Sequence, residues 1–427
     1  MKKRKNKNSA GKILLTAFIG IIFISVILFS RNKVELQLQA AIQLQAASSK
    51  LQGDEGYGEP QAAEAGQEPE PTSTPDTMPE PTATPEPTPE PEPEYFTLSF
   101  IGDNTLWSSL QYQYSEYGLP LVVGEDYAYP FSNTVSYFTE DEYTIANLEC
   151  TLSDKSLSSA EQFYFKAPSA YVNILTEGGV DFVSTANNHS MDFYEQGLAD
   201  TCEALDSAGI PYINENEHKI VETPSGLKLG IYTCFNNFHP EEKFDSLKSA
   251  VEEMRASGAE LIIVMFHWGQ ELYYTPNDNQ VTLAHRCIDE LGVDIVYGSH
   301  THCLQPVEEY NGKLIMYSMG NWVFGGNTAP SDPDTAIVRA TIKRDIDGTV
   351  SYEGFECIPC CVSNLIDEAN AKANNTNYNF YANYNKYCPT PYSEDNEGYA
   401  RTMSKLQGLF EAASEGADYS SWYASWS

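Results

Sequence analysis

Seven side chains that can bind a metal ion or transfer a proton follow short apolar segments in this chain of 427 residues. They are Asp103, Glu149, Asn188, His189, His267, His300 and His302. A lone histidine at a strand end is usually just a hydrogen-bonded polar residue, but four of the chain's seven histidines occur here. Buried imidazoles and carboxylates are costly unless a cation or ligand compensates them, and mixed nitrogen and oxygen ligands suit manganese, zinc or iron. The residue types therefore predict a site for one or two divalent metal ions.

Alternating strands and helices would bring these side chains to one edge of a sheet. The segments typical of strands are Phe96–Ile101, Tyr143–Leu148, Asp181–Ala186, Leu229–Cys234, Leu261–Phe266, Ile295–Tyr297 and Leu314–Tyr317. Two helix faces are predicted between them, one with Leu198, Cys202 and Leu205, the other with Ala284, Cys287, Ile288 and Leu291. The alternation predicts an α/β domain with largely parallel strands. A hairpin of Thr335–Arg344 and Thr349–Ile358 around Asp347-Gly348 makes the sheets mixed.

Residues beside the seven candidates are predicted to complete the site, because ligands of α/β folds bind where strands end. Asp192 lies just beyond His189 and is assigned with it to catalysis. The residues assigned to substrate binding are Asn104, Trp268, Glu271 and Asn321. Aromatic residues either wall a groove for an extended polymer or fill the core; they are Trp268, Tyr273, Tyr274, Trp322 and Phe324.

The motifs and their order resemble the CapA/PgsA family of poly-γ-glutamate capsule-biosynthesis proteins. The motifs are GDN at 102–104, ANLE at 146–149, ANNHSMDFYEQGL at 186–198, HWGQELY at 267–273, GSHTHCLQPVEEYNG at 298–312 and YSMGNWVF at 317–324. The resemblance covers residues 96–345. It implies a calcineurin-like metallophosphoesterase fold, which is a four-layer α/β sandwich with mixed sheets and with metal ligands on loops at the sheet edge.

The resemblance also implies a role for each candidate. The implied ligand sets are Asn188, His267 and His300 for one metal, and Asp103 and His302 for the other, with Glu149 between them. His189 would protonate a leaving group. Two positions depart from the phosphoesterase pattern: the classical Asp-x-His is here Asp103-Asn104-Thr105, and Glu149 stands in place of an aspartate. A single-metal site or a weak second site is therefore an alternative to the two-metal clamp of an in-line displacement.

Residues 1–94 differ in composition from the rest of the chain. A basic cytoplasmic segment, 1–12, precedes an apolar segment, 13–30, which is predicted to be a single transmembrane signal anchor. A cleaved signal peptide is the alternative. Residues 31–94 form a juxtamembrane and Pro/Glu/Thr-rich linker, whose prolines and mutually repelling glutamates predict an extended, disordered stalk. The sequence thus predicts a protein of the cell membrane with an extracytoplasmic C-terminal part.

The remaining sequence is divided into a CapA-like domain, 95–364, and an Asn/Tyr-rich C-terminal extension, 365–427. Net charge is −35 for the whole chain, and an acidic surface repels a phosphate backbone, so no nucleic-acid partner is expected. The cluster Cys357-Ile-Pro-Cys-Cys361 is compatible with a disulfide or, less simply, a metal site. Cys202 and Cys287 are expected to be small buried hydrophobes.

The resemblance implies a role in poly-γ-glutamate capsule synthesis or export, with a hydrolase-type metal site. Two molecular functions remain open on the sequence. In the first, the protein is a metal-dependent hydrolase that attacks a phosphate ester or an amide bond in a surface polymer, whether or not that polymer is a capsule. In the second, it is a non-catalytic subunit that holds polymer carboxylates for synthase or export subunits. The expected partners are the membrane and poly-γ-glutamate or another anionic surface polymer.

Overall fold

A computed structural model describes residues 92–159, 161, 163–235, 243–374 and 383–410 of the chain. The strands are β1 Glu94–Thr105, β2 Tyr143–Leu148, β3 Thr151–Leu152, β4 Lys166–Ala167, β5 Phe182–Ser184, β6 Tyr212–Ile213, β7 His218–Glu222, β8 Lys228–Phe235, β9 Leu261–His267, β10 Ile295–Ser299, β11 Val307–Tyr310, β12 Lys313–Met316, β13 Asn321–Phe324, β14 Asp334–Arg344, β15 Val350–Cys361 and β16 Thr390–Pro391. The helices are α1 Leu119–Val123, α2 Val135–Glu140, α3 Asn173–Glu177, α4 Tyr194–Ala208, α5 Phe244–Ala256, α6 Asp278–Leu291, α7 Ile366–Ala373 and α8 Glu397–Leu406. Short 3-10 turns lie at Tyr129–Phe131 and Ser169–Val172.

Two mixed sheets form the centre of the fold. The first has the order β16-β15-β14-β1-β2-β5-β6, with β13 also paired to β1. In it β1, β2, β5, β6 and β13 are parallel, while β14, β15 and β16 run antiparallel to their neighbours. The second has the order β11-β12-β10-β9-β8-β7, with antiparallel strands at both edges. The predicted α/β class with mixed sheets is confirmed.

Side chains on the strands alternate between an inner and an outer face, as the two-residue period of a strand requires. On β9, Ile263 and Met265 pack in the core between the sheets, whereas Ile262 and Val264 pack in a separate core that includes residues of α5 and α6. On β2, Ile145 faces the inner core and Ala146 an outer core that includes residues of α1 to α4. The layers are therefore helix, sheet, sheet, helix.

Close backbone approach fixes the carboxyl ends of the central strands. A Cβ on Gly298, in β10, would lie 2.0 Å from the main-chain oxygen of Tyr317, and one on Gly102, in β1, would lie 2.2 Å from that of Gly320. Only glycine fits at both positions. The Asp103 amide donates to Gly320 O at 2.8 Å, which draws the segment before β13 against β1.

The predicted strands and the hairpin all occur, with bounds that differ by a few residues. The helix face in α4 is different from the expected one, because Gly197, Thr201, Ala204 and Leu205 are buried whereas Cys202 is only half-buried. The outcome for Cys287 is as expected, since it is fully buried in α6.

The cysteine cluster near residue 360 forms no disulfide. All nine cysteines are free thiols, and Cys360 and Cys361 are buried at the end of β15. Successive residues of a strand point to opposite faces, and accordingly Cys360 lies in the core that includes residues of α1 to α4, whereas Cys361 packs with residues of the C-terminal segment.

The described part of the C-terminal extension packs onto the first sheet. β16 pairs with β15, and Leu406 of α8 lies in the core between the sheets. Within the described ranges, no helix has the length and apolar character that crossing a membrane requires. The predicted anchor, 13–30, and residues 31–91 of the predicted linker lie outside those ranges. The last residue of the predicted linker, Glu94, is instead the first residue of β1.

Candidate metal centre

Register between neighbouring strands brings the candidate side chains to one edge of the two sheets. In the first sheet Asp103 of β1 is paired with Asn147 of β2 on one side and with Asn321 of β13 on the other. In the second sheet Ser299 of β10 is paired with His267 of β9. Asp103, Asn147, His267 and Ser299 stand near the carboxyl ends of parallel strands, where α/β folds collect their ligands. Asn321 stands at the amino end of β13.

The first group of potential ligands surrounds His267. Its Nε2 atom lies 3.0 Å from His300 Nδ1, 2.7 Å from Asn188 Oδ1 and 3.3 Å from Glu149 Oε1. His267, His300 and Glu149 are all at most 3% exposed. Two buried imidazole nitrogens, an amide oxygen and a carboxylate oxygen thus converge on one small volume.

The second group consists of Asp103, Glu149 and His302. Each of these residues offers one potential ligand atom within 4.8 Å of those of the other two. The same is true of Glu149, His267 and His300 in the first group. His302 Nδ1 lies 4.0 Å from Asp103 Oδ2 and 3.0 Å from Asn321 Oδ1. Glu149 belongs to both groups. Together with Asn188, which contacts His267, the two groups contain the six residues that were predicted as ligands.

Glu149 provides the test of whether a cation fits these residues. The side chain is fully buried, and neither carboxylate oxygen accepts a hydrogen bond from any described residue. The Oε1 contact with His267 is close enough for an electrostatic interaction but is not aligned as a hydrogen bond. A buried carboxylate without donors is costly, and a divalent cation between the two groups would satisfy both oxygens.

Burial and charge set the protonation of these groups. Burial raises the pKa of Glu149, but the neighbouring His302, His267 and His189 outweigh it, so the net shift is downward and the group stays ionised. Burial and the neighbouring Glu149 raise the pKa of Asp103. Burial lowers the pKa of His267, and burial together with His267 lowers that of His300 to about 2. The two imidazoles are therefore neutral, which is the form that binds metals.

Residues that are not candidate ligands themselves hold the candidate ligands in place through hydrogen bonds. Ser299 Oγ lies 2.8 Å from His267 Nδ1 and can accept a hydrogen bond from it. When Nδ1 carries the ring proton, Nε2 has a free lone pair that faces the other ligands. Asn147 Nδ2 donates to Asp103 Oδ1 at 2.8 Å, and Asn187 Nδ2 donates to Asn147 Oδ1 at 3.1 Å. The His300 amide donates to Asp103 Oδ2 at 3.1 Å.

His189 and Asp192 form a separate pair at the edge of the cluster. His189 Nδ1 lies 3.1 and 2.9 Å from the two oxygens of Asp192. Asp192 is itself held by the Phe165 amide, which donates to Oδ2 at 2.9 Å. Burial lowers the pKa of His189, but the hydrogen bond that its ring donates to Asp192 and the charges of Glu149, Asp192 and Glu271 raise it above its usual value. The arrangement fixes the ring and leaves Nε2 for proton transfer.

Three residues assigned to substrate binding are buried, and their assignment is corrected. Trp268 is 1% exposed, stacks on Phe266 and donates its indole N–H to Tyr317 O at 2.9 Å, because it follows His267 and so faces the opposite side of the sheet. Asn104 is fully buried and donates to Gly102 O and Asn147 O.

Asn321, the third of these residues, is 2% exposed and contacts His302 instead of solvent. Of the remaining predicted aromatics, Trp322 is fully buried, whereas Tyr273 is 40% exposed. Glu271 is exposed, and its charge acts on His189, which puts it near the mouth of the cluster.

Sequence reasoning did not single out Ser299, Asn147 and Asn187 as supports for the ligands. Each stands inside a motif that was used for other residues, namely GSHTH, ANLE and ANNH. A signal was nevertheless present for Ser299, because it lies two residues after Tyr297 on β10 and so shares the face that points to the core between the sheets.

Comparison with known proteins gives one family. The family model described as bacterial capsule synthesis protein PGA_cap matches residues 97–326. A PGA biosynthesis protein CapA of Bacillus subtilis is 29% identical over 51% of this chain and 61% of that protein. A capsule biosynthesis protein CapA of Bacillus anthracis is 26% identical over 55% of this chain and 61% of that protein. The chain thus spans about three fifths of the length of these relatives.

Solved structures to which the chain is similar include a calcineurin-like phosphoesterase, YfkN, of Bacillus subtilis. It is 13% identical, with a TM-score of 0.39, over 63% of this chain and 91% of that one. A hypothetical protein of Thermus thermophilus is 15% identical, with a TM-score of 0.39, over 62% of this chain and 98% of that one.

Proposed function

Because the chain belongs to the bacterial capsule synthesis protein family PGA_cap, we propose that it acts in the synthesis or export of poly-γ-glutamate or another anionic surface polymer, through a divalent metal centre. The process comes from the relatives, which are named as capsule and PGA biosynthesis proteins. In this proposal the segment 13–30 anchors the chain in the cell membrane. The described domain then lies outside the cytoplasm, beside synthase or export subunits.

The single observation that carries the metal centre is Glu149, a fully buried carboxylate whose two oxygens accept no hydrogen bond from the described residues and which belongs to both ligand groups. Asn188, His267 and His300 would hold one ion, Asp103 and His302 a second, and Glu149 would be shared. Manganese, zinc or iron suit this donor set. A bound divalent ion lowers the pKa of a coordinated water towards about 7 and so supplies hydroxide near neutral pH.

The chain's own residues support a hydrolase of phosphate ester or amide bonds. His189, with its ring fixed by Asp192, is suited to donate a proton from Nε2 to a leaving group. A positioned general acid contributes about 10²–10⁴-fold to a rate. Asn188 precedes His189 directly, so the proton donor is tied to a residue that contacts His267.

The second candidate is a subunit that holds polymer carboxylates without turnover, and it has to do so beside the exposed carboxylate of Glu271 near the cluster. An acidic mouth repels a polyanion, so polymer carboxylates would need the metal ion as a bridge. Both candidates need the ion, and they differ in whether His189 is needed.

The experiment that tests the proposal measures the amount of capsule polymer in the organism that encodes the protein. The wild-type protein is replaced there by the Glu149→Gln or the His189→Gln variant. Loss of polymer with both variants supports the hydrolase. Loss with Glu149→Gln alone supports the binding subunit. Normal polymer with Glu149→Gln contradicts the metal centre. The purified full chain, assayed with Mn²⁺ on bis(p-nitrophenyl) phosphate and on poly-γ-glutamate, identifies the bond that is cleaved.

A further inference from the structure

A buried cluster of four charged residues lies beyond the segment matched by the family, 97–326. Lys405 of α8 is 2% exposed, and its Nζ atom contacts Asp332 Oδ1 at 2.5 Å and Asp334 Oδ2 at 2.7 Å. Arg401 donates to both oxygens of Asp334, each at 2.7 Å. Two carboxylates are thus balanced by two cations, as buried charges require.

The cluster is connected to the candidate metal centre through Asp332. Its other oxygen, Oδ2, accepts the main-chain N–H of Leu304 at 2.9 Å. Leu304 is the second residue after His302, and it also forms a β-bridge with Met319. The path Lys405–Asp332–Leu304 therefore joins helix α8 to the loop that carries His300 and His302.

This loop has a backbone that needs support. His300 has a φ of 98° and His302 a φ of 55°. Residues with a Cβ rarely adopt such angles, and they keep them only where surrounding contacts fix the chain. Without that support the loop would relax, and the two imidazoles would leave their positions opposite His267 and Asp103.

A second contact joins Lys405 to the other side of the loop. Its ammonium lies 4.8 Å from the ring centre of Tyr274. The segment before Tyr274 is bonded to the histidine loop, because the Leu272 amide donates to Thr301 O at 2.8 Å. Lys405 thus supports the loop from two directions.

We propose that Lys405 and Asp332 are positioning residues for the metal centre: helix α8, outside the family-matched segment, holds the His300–His302 loop in its strained conformation through the Leu304 amide. The inference rests on the proposed metal centre for its consequence, but the position of the histidines can be measured without metal. The cluster also offers an internal control. Arg401 belongs to it but contacts Asp334, so its loss weakens the cluster and leaves the path to Leu304 intact.

The experiment uses the full chain with ¹³Cε1-labelled histidine, recorded with a chelator and then titrated with Mn²⁺. The signals of His300 and His302 are assigned by single substitutions to Gln. We expect Lys405→Met to shift both signals and to weaken Mn²⁺ binding by about 10–100-fold, the usual effect of losing a residue that supports a metal ligand. Lys405→Arg is expected to restore both.

Two controls separate positioning from general destabilisation. Arg401→Met should lower the unfolding midpoint and leave the two signals in place. Lys313→Met is a matched control at the opposite end of the strands. Lys313 pairs with Asp294, and Asp294, like Asp332, also accepts a main-chain N–H, which is that of Ile262 at 2.8 Å. This variant should change neither signal. If Lys405→Met does not fold, the charge-balanced Asp332→Asn/Lys405→Met variant is judged by the same signals.

Unmoved signals and unchanged Mn²⁺ affinity in a folded Lys405→Met or double variant would overturn the inference, as would an equal shift in Arg401→Met. Shifted signals in a chain whose wild type binds no Mn²⁺ would support the positioning role and contradict the proposed function. Mn²⁺ binding by the wild type, together with unmoved histidine signals in Lys405→Met, would support the proposed function and contradict the positioning role.

Discussion

His267 Nε2 and His300 Nδ1 lie 3.0 Å apart, although their strands come from separate parts of the sequence. Both rings are buried, and burial lowers the pKa of each. Two neutral imidazoles at this distance either share one proton or present their lone pairs to a common cation. Ser299, which lies 2.8 Å from His267 Nδ1, favours the second arrangement because it can accept the proton of that nitrogen.

Replacing Ser299 tests this orientation. We expect Ser299→Ala to weaken Mn²⁺ binding by about 10–100-fold, because His267 loses the acceptor that fixes its tautomer. Isothermal titration of the full chain measures the affinity. Ser249→Ala removes an exposed hydroxyl of α5 that donates to Asp245 O, and this variant should bind Mn²⁺ as the wild type does. Equal affinity of the two variants would show that Ser299 has no such role.

The His189–Asp192 pair is expected to matter for turnover and little for metal binding. His189→Gln should lower hydrolysis of a dialkyl phosphodiester, whose alkoxide leaving group needs a proton, by about 10²–10⁴-fold, as expected for the loss of a general acid. Asp192→Asn should also lower it, since an amide can donate to Nδ1 and so stabilise the wrong tautomer. Metal content, measured by mass spectrometry, should stay at the wild-type level in both. Full turnover in His189→Gln would exclude its role as the proton donor.

Much of the site could be predicted because the strands are short, apolar and parallel. The residue types at their ends indicated Asp103, Glu149, His267 and His300, and parallel strands place such ends together. The error at Trp268 came from treating residues next to His267 as neighbours in space. In a strand the next residue points to the opposite face, so Trp268 packs in the outer core.

Other features depend on contacts that no local pattern contains. Asn321 reaches His302 because β13 replaces β14 as the partner of β1 beyond Phe100, where the register shifts. Lys405 lies in an amphipathic helix, and nothing near it in sequence indicates that its ammonium is buried against Asp332. Such long-range pairs follow from the assembled sheet.

The close approach at Gly298 gives a prediction for stability. A Cβ there would lie 2.0 Å from Tyr317 O and 2.5 Å from Trp268 Nε1. Gly298→Ala should therefore lower the free energy of unfolding by at least about 1–3 kcal/mol, the usual cost of overpacking. Urea unfolding followed by circular dichroism measures it. Gly209→Ala, at a helix end with open space around it, is the control and should cost about 1 kcal/mol. An equal loss of unfolding free energy in Gly298→Ala and Gly209→Ala would contradict the close contact between Gly298 and Tyr317 O.

Asp200 gives a prediction for pH dependence away from the metal centre. Burial raises its pKa, but hydrogen bonds from Lys155, Ser153 and Gln196 outweigh this and lower it. A lowered folded-state pKa stabilises the fold above the unfolded value of about 3.9, and the contribution disappears as pH falls through the folded value. Asp200→Asn should therefore cost about 1–2 kcal/mol at pH 7 and less at pH 3, which lies below the unfolded value. A cost that is the same at both pH values would contradict the ionised state of Asp200.

Metal stoichiometry of the full chain tests the central claim most directly. The chain is freed of metal with a chelator, titrated with Mn²⁺ and followed by electron paramagnetic resonance of the free ion. We predict saturable binding of one or two ions per chain, with an affinity at least about 100-fold lower in Glu149→Gln, since losing a ligand costs no less than losing its support. Weak, unsaturable binding that is the same in the wild type and in Glu149→Gln would contradict the metal centre.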